Sequence, residues 1–387
     1  MDYLLNTNVK NIEISGIRRF SNMVANEKDV ISLTIGQPDF YTPENVKQAT
    51  VKAVAQNKTT YTHNAGLLEL RKAISSFNES HYGISFNPES EIIVTTGASE
   101  AIDITFRTIL SPGDEVILPG PIYPGYEPLI KLAGAHPVYV DTTQTGFKLT
   151  KQTLKEHITA KTKCVVLPYP SNPTGASFSK EELQDLTDVL KDKDIFILAD
   201  EIYSELVFDN KHTSIASFGS VNKKTIVVNG LSKSHSMTGF RIGYVLAPEW
   251  LCQHILKVHQ YNVSCASSIS QYAALEALTG KSDSTMAMLQ EYRKRRDYVY
   301  GRLQNMGLEV NRPEGAFYFF PKFPIQEMTS FELGLALVRK AKVALVPGDS
   351  FSALGEGYMR LSYAYDLETI SKGLNRIETF LQKEELR

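Results

Sequence analysis

The chain has 387 residues, a length at which one hydrophobic core usually gives way to two joined domains. Apolar residues make up 42% and charged residues 22%, the balance of an ordinary globular protein rather than a disordered one. A net charge of −2 supplies no overall basic field, so neither nucleic acid nor a membrane surface is an expected partner. The cysteines Cys164, Cys252 and Cys265 lack Cys-x-x-Cys spacing, and no histidine sits in a metal-ligand pattern. Neither a zinc site nor a disulfide framework is therefore expected. The start has no apolar signal core, and nowhere is there an apolar run of the roughly 18 residues that a spanning helix needs. A reducing cytoplasm is the expected location.

Along the chain, short apolar runs alternate with longer amphipathic stretches. The runs predict strands at 92–95, 115–118, 138–140, 164–167, 195–199, 225–228 and 242–246. Their Val and Ile content suits strands buried on both faces. Helical patterns lie between them, as at 100–109 and 180–190. This alternation predicts an α/β fold: a large domain over 36–280 with a mainly parallel seven-stranded sheet flanked by helices. A long helix over 283–306 and strands at 316–319, 343–346 and 359–362 then predict a smaller α+β domain. The basic run Arg293-Lys294-Arg295-Arg296 falls in that helix and reads as a solvated face.

Chemistry concentrates in a few segments. Gly230-Leu231-Ser232-Lys233 follows the strand at 225–228 and leads on to Gly239-Phe240-Arg241-Ile242-Gly243. A lysine amine in a partly desolvated pocket sheds its proton readily and can attack a carbonyl. An arginine can clamp a phosphate with two parallel hydrogen bonds. Amine, hydroxyl and guanidinium together suit an aldehyde cofactor that carries a phosphate, pyridoxal 5′-phosphate. Thr95-Thr96-Gly97-Ala98-Ser99-Glu100 joins a strand to a helix, whose first N–H groups attract anions. Ser99 there is either a helix N-cap or, with Ala98, a phosphate contact. Asp200 ends the strand at 195–199, at the edge where ligands of such sheets gather, and could pair with a pyridinium nitrogen. Glu201 is the neighbouring alternative. Arg360, on a predicted strand, needs an anionic partner if buried: an α-carboxylate or a structural ion pair.

The Lys233 segment with its Gly-x-Arg-x-Gly tail resembles the cofactor-lysine signature of class I/II aminotransferases, proteins of PLP fold type I. Asn172-Pro173-Thr174-Gly175 and Asp200-Glu201-Ile202-Tyr203 extend the resemblance, which runs over nearly the whole chain. It implies that Lys233 carries the cofactor and moves the substrate's proton. It implies that Asn172 and Tyr203 share the phenolic oxygen, and that Tyr123 stacks on the ring, with Tyr126 close enough to be confused with it. Ala98, Ser99 and Arg241 would hold the phosphate, and Gly36, Asn172 and Arg360 the substrate carboxylate. Gly230 departs from the pattern, since many relatives carry a serine there; Ser232 is the alternative hydroxyl. His235 is expected outside the first layer of contacts. Tyr61 resembles the tyrosine that reaches the phosphate of the neighbouring subunit, which implies a homodimer. Residues 1–35 would pack with 281–387 as the small domain. The implied reaction is ping-pong transfer of an amino group between an amino acid and a 2-oxo acid. The blocks 13–18, 123–126 and 257–266 resemble bacterial aminotransferases of lysine biosynthesis that pair N-acetyl-L,L-2,6-diaminopimelate with 2-oxoglutarate. The alternatives are a broad aromatic or aspartate aminotransferase, a PLP β-lyase, and a transcriptional regulator with an aminotransferase-like domain. The short stretch before Gly36 leaves no room for that regulator's DNA-binding module.

Overall fold

The computed structural model describes residues 1–25, 27–324 and 328–384. After a short strand β1 (Ile31–Ser32) come β2 (Ile92–Thr95), β3 (Glu115–Gly120), β4 (His136–Asp141), β5 (Thr162–Leu167), β6 (Phe196–Asp200), β7 (Thr225–Gly230) and β8 (Gly243–Leu246). Strands β2 to β8 form one seven-stranded sheet in the order β2-β8-β7-β6-β5-β3-β4. Successive side chains of a strand point to opposite faces. Cys164 and Val166 of β5 accordingly enter one apolar core, while Val165 and Leu167 enter another on the opposite face. That double burial is why these strands read as continuous apolar runs. The helix Gly97–Ile109 packs on β7 and β8. The helix Lys180–Leu190 starts at a capping box, with Ser179 and Glu182 each satisfying the other's backbone N–H.

The C-terminal third begins with the helix Ser284–Asn305. Strands β9 (Tyr318–Phe319), β11 (Val346–Pro347) and β12 (Met359–Ser362) form a three-stranded sheet ordered β11-β12-β9. Strand β10 (Val343–Ala344) instead pairs in parallel with β1. The single strand expected over 343–346 is thus two short ones with different partners. Leu33, Phe317, Leu361 and Ile377 share the core of this region.

The basic run at 293–296 is not a solvated face. Tyr292, Arg295, Arg296, Val299 and Leu303 form the buried stripe of their helix, whose turn cannot keep four consecutive residues on one side. Arg296 is fully buried and pairs with Asp209 at 2.7 Å and Asp297 at 2.9 Å. Arg295 pairs with Asp39 at 2.8 Å. Only Arg293 and Lys294 of the four are exposed. Among the described residues, no helix is long and apolar enough to cross a membrane.

Candidate active site

Strands β2 to β7 run the same way and only β8 is reversed. The loops leaving β2, β3, β5 and β6, and the loop joining β7 to β8, therefore open on one edge of the sheet, where ligands of such folds bind. A cavity of about 410 Å³ lies there, within the size range of small-molecule sites. The first loop supplies Ala98 and Ser99, the second Tyr123, the third Asn172. Asp200 and Tyr203 come from the end of β6, and Ser232, Lys233 and Arg241 from the one loop that joins β7 to β8. Gly36 and Arg360 line the cavity from the C-terminal side. Tyr61 does not line it: its side chain stands on the surface, 86% exposed.

The anion end of the cavity is built from close backbone approach. The helix Gly97–Ile109 starts at Gly97 with Thr96 as its cap residue, so Ser99 lies inside the first turn rather than capping it. Gly97 has φ +78°, and a Cβ there would sit 2.4 Å from Nη2 of Arg241. The glycine thus lets the guanidinium lie across the helix start, beside its unpaired N–H groups. Arg241 also donates from Nη1 to the Thr238 carbonyl at 3.0 Å. Ser232 lines the cavity, whereas a Cβ on Gly230 would press on the Ile242 carbonyl at 2.7 Å. A serine at 230 therefore has no room on this backbone, and the available hydroxyl is that of Ser232.

Asp200 is buried at the end of β6 and accepts a hydrogen bond from Tyr126 Oη at 2.6 Å and another from the Ile202 N–H at 3.2 Å. Burial pushes its carboxyl up to about 6, an effect the Tyr126 hydrogen bond only partly offsets. Glu201 points to the other side, toward His212 at 3.1 Å, so the strand's alternation decides between the two acids. The two tyrosines are also told apart. Tyr126 is fully buried with its hydroxyl committed to Asp200, while Tyr123 meets it edge-to-face at 5.6 Å. Only Tyr123 keeps its hydroxyl free of that carboxylate.

Lys233 Nζ donates to the Gly36 carbonyl at 2.5 Å. Burial, with Arg360 and Arg241 nearby, pulls its amine down to about 8, against the opposing pull of Asp200. Arg360 on β12 donates from Nη1 to Asn172 Oδ1 at 2.9 Å and from Nη2 to the Thr34 carbonyl at 2.6 Å. Its guanidinium lies 4.5 Å from the Tyr318 ring centroid, and its buried Nε has no partner. Tyr203 and Tyr318 share a hydroxyl–hydroxyl hydrogen bond of 2.8 Å. Tyr318 and Thr34, both in the lining, escaped the sequence reading. Tyr318 sits in the run 317–320, which looks like plain core, and Thr34 contributes only its carbonyl. His235 is not in the lining; its Nδ1 lies 2.8 Å from the Ser234 hydroxyl.

Lys233, Arg241 and Arg360 therefore face Asp200 alone as a charged partner in the lining. Such a cavity suits a ligand bearing a phosphate and a carboxylate. It also places a buried carboxylate where a ring cation would stabilise it.

Comparison with known proteins agrees. The sequence model of the family described as aminotransferase class I and II matches residues 28–377. The chain is 60% identical over 383 residues to a probable N-acetyl-LL-diaminopimelate aminotransferase of Bacillus subtilis, covering 99% of this chain and 97% of that protein. It is 39% identical over 376 residues to an aspartate aminotransferase of Pyrococcus abyssi, covering 96% and 97% of the two chains. The crystal structure of an aromatic aminotransferase from Pyrococcus horikoshii superposes with a TM-score of 0.91 at 38% identity, covering 95% of this chain and all of that one. The chain belongs to the class I and II aminotransferases. It is a pyridoxal-phosphate-dependent transaminase, and its cofactor fits the cavity described above.

Proposed function

We propose that this aminotransferase exchanges the amino group of N-acetyl-L,L-2,6-diaminopimelate with 2-oxoglutarate in the cytoplasm. The substrate reading rests on the identity to the Bacillus protein of that printed name, 60% against 39% for the aspartate enzyme. A second cavity of about 510 Å³, which shares Tyr123 with the first, supports it. Arg18 lines this outer space and has no carboxylate partner among the described residues, whereas Lys131 there is paired with Glu127. A long substrate ending in a second carboxylate and an acetylated amine needs such room and such a cation. Three unpaired cysteines suit the reducing compartment.

The division of labour is part of the proposal. Arg241, Ser99, Ser232 and the Ala98 N–H hold the cofactor phosphate, Tyr123 its ring face, and Asn172 and Tyr203 its phenolic oxygen. The carrying observation is the three-to-one excess of cations over carboxylates in the lining. When bound, pyridoxal phosphate supplies the carbonyl that takes the amino group and a ring that accepts the electron pair left at the substrate Cα. Asp200 keeps a negative charge beside the ring nitrogen. Arg360 grips the α-carboxylate with Asn172 and Gly36 beside it. Lys233, freed by the substrate, takes the Cα proton on Nζ, for which a lowered pKa is suited.

We assign two domains, 36–280 and 1–35 with 281–387; the pairing of β1 with β10 supports grouping the N-terminal segment with the C-terminal third. We also assign a homodimer in which Tyr61 completes the partner's phosphate site. Its loop is held from within: buried Gln271 accepts from the Leu67 N–H at 2.7 Å and donates to Thr62 Oγ1 at 3.0 Å. These contacts present the exposed ring in one place, as a contribution to a partner's site requires. Mixing Lys233→Ala with Tyr61→Phe chains should raise activity per intact Lys233 above that of the Tyr61→Phe parent, and no rise after verified exchange would reject the shared site. The substrate is tested by a panel of donors with 2-oxoglutarate, following glutamate formation. N-acetyl-L,L-2,6-diaminopimelate should give the highest kcat/KM; a higher value for aspartate or phenylalanine would move the protein to the broad-specificity reading that its other relatives represent.

A further inference from the structure

We propose that Arg295 and Asp39 form a positioning pair that sets the amino-acid carboxylate subsite from outside it. The inference rests on the reading that Arg360 takes the substrate α-carboxylate. Its starting point is the second half of the basic run in the helix Ser284–Asn305, where Arg295 and Arg296 are buried although solvent was expected.

Residues 33–42 form a strap that is neither helix nor strand. At one end Leu33 is tied to the C-terminal strands: its N–H donates to Ala344 O and its carbonyl accepts from the Ser362 N–H, both at 2.9 Å. At the other end Thr42 Oγ1 donates to the Ser236 carbonyl in the Lys233 loop at 2.6 Å. Between these anchors the strap presents two carbonyls to the active site. Thr34 O accepts from Arg360, and Gly36 O accepts from Lys233. Past Gly36 the strap is held by the buried Pro38, by Phe40 packed edge-to-face on Tyr292 at 5.4 Å, and by hydrogen bonds to the carboxylate of Asp39. Arg295 Nη1 donates to Oδ1 at 2.9 Å and Oδ2 at 2.8 Å, and Tyr292 Oη donates to Oδ1 at 3.1 Å. The guanidinium is 7% exposed, is steadied by Glu291 at 3.2 Å, and lies 5.3 Å and 5.5 Å from the ring centroids of Phe40 and Tyr292.

The pair is thus a clamp between a rigid helix and a strap with no hydrogen-bond ladder of its own. A nearly buried guanidinium whose carboxylate is removed is left short of a partner, and the strap loses the polar part of its middle anchor. What moves then is the pair of carbonyls that orients Arg360 and Lys233. Of the groups assigned to the phosphate, Ser99 sits on the helix after β2, while Ser232 and Arg241 share the Lys233 loop, whose own tie to the strap through Thr42 does not involve Asp39 and stays in place. Release of the clamp should weaken amino-acid binding selectively. A displacement of about 1 Å at a reacting group is enough for losses of up to roughly 100-fold.

The test uses the holoenzyme variants Asp39→Asn and Arg295→Lys, with Asp39→Arg/Arg295→Asp as a charge-swapped double. Asp39 is the more exposed partner, so Asp39→Asn is the variant to judge by if a change at Arg295 impairs folding. Three quantities are read: KM for the amino donor, the Kd of unreactive glutarate from the cofactor's absorbance shift, and the Kd of pyridoxal phosphate for the apoprotein. The expected result for Asp39→Asn is a rise of roughly tenfold in the first two, with the third unchanged within about threefold and partial recovery in the double variant. Unchanged KM and glutarate affinity would overturn the proposal, as would a parallel loss of cofactor affinity, the mark of general loosening. Arg360→Lys separates this failure from that of the parent reading. If Arg360→Lys leaves KM unchanged, the carboxylate assignment itself is wrong. If it raises KM while Asp39→Asn does not, only the clamp is rejected.

Discussion

Asp200→Asn should act in opposite directions on the apoprotein and on the working enzyme. In the apoprotein the carboxyl is buried and raised from 3.8 to about 6. That shift of about two units corresponds to about 3 kcal/mol of penalty for holding the charge in the folded state. Below pH 4 both folded and unfolded chains carry the proton, and the penalty is absent. As pH rises through about 6 the folded state must ionise the buried group, and stability is lost. The amide has no charge to bury, and it can still accept from the Ile202 N–H while the Tyr126 hydroxyl turns to accept. At pH 8 the apo variant should therefore melt higher than the apo wild type, by about 4 °C for about 3 kcal/mol spread over a chain of this length. The two should converge at pH 4. With cofactor bound the sign reverses. On the proposed assignment the charge that was a burden would face the ring nitrogen, and losing it would remove electrostatic stabilisation from the step that releases the Cα proton. If the same 3 kcal/mol is lost from the transition state, kcat falls by about 100-fold. Calorimetry of the apo forms across pH, together with single-turnover absorbance of the loaded forms, measures both. An apo variant no more stable than wild type at pH 8, or an unchanged rate with cofactor content verified, would refute the assignment.

Three further outcomes are expected. The Lys233 amine, lowered to about 8, should be labelled by pyridoxal phosphate and borohydride with a midpoint near that pH; label on another peptide, or a midpoint near the ordinary lysine value, would contradict its place in the site. Gly97→Ala puts a Cβ 2.4 Å from the Arg241 guanidinium at a left-handed φ, so cofactor affinity of the apoprotein should fall by roughly tenfold or more through displaced charge-assisted hydrogen bonds, and an unchanged Kd would remove Arg241 from the phosphate. Arg18→Gln should raise KM by about tenfold for a donor with a second carboxylate and leave alanine untouched; an equal effect on both would place Arg18 outside the distal subsite.

The strands of the large sheet were legible because double burial leaves an unmistakable apolar run, as at Val165, Val166 and Leu167. The β6 end at Asp200 and the loop at Lys233 were legible because their chemistry is local in sequence. Side-chain commitment was not. Nothing near Tyr126 says that its hydroxyl serves an acid 74 positions away, and nothing near Arg295 says that its partner is Asp39, 256 positions away. The basic run was misread for a related reason. Charge pattern alone suggests solvent, and only the helical phase set by Tyr292 and Val299 shows that Arg295 and Arg296 face inward. The choice between Gly230 and Ser232 likewise needed coordinates, since it turns on the closeness of the Ile242 carbonyl.

On the proposed assignment of the phosphate to Arg241 and the carboxylate to Arg360, the cavity's charges also account for keeping the two anions apart. A phosphate carries about −1.5 to −2 at neutral pH and gains most where a guanidinium and free N–H groups meet, which is the Arg241 end at the start of the helix Gly97–Ile109. Arg360 offers no helix terminus. Two of its nitrogens are already engaged by Asn172 and Thr34, which fixes the plane of the guanidinium, and its unpartnered Nε lies beside them. A planar fork held in one orientation favours a planar carboxylate over a tetrahedral phosphate. Lys233 sits between these ends, its amine lowered by both arginines. An anion arriving at either end offsets part of that field and raises the amine's proton affinity. On the proposed assignment both ends are filled, and burial, the largest of the causes that lower the amine, is then what keeps Lys233 free to take a Cα proton.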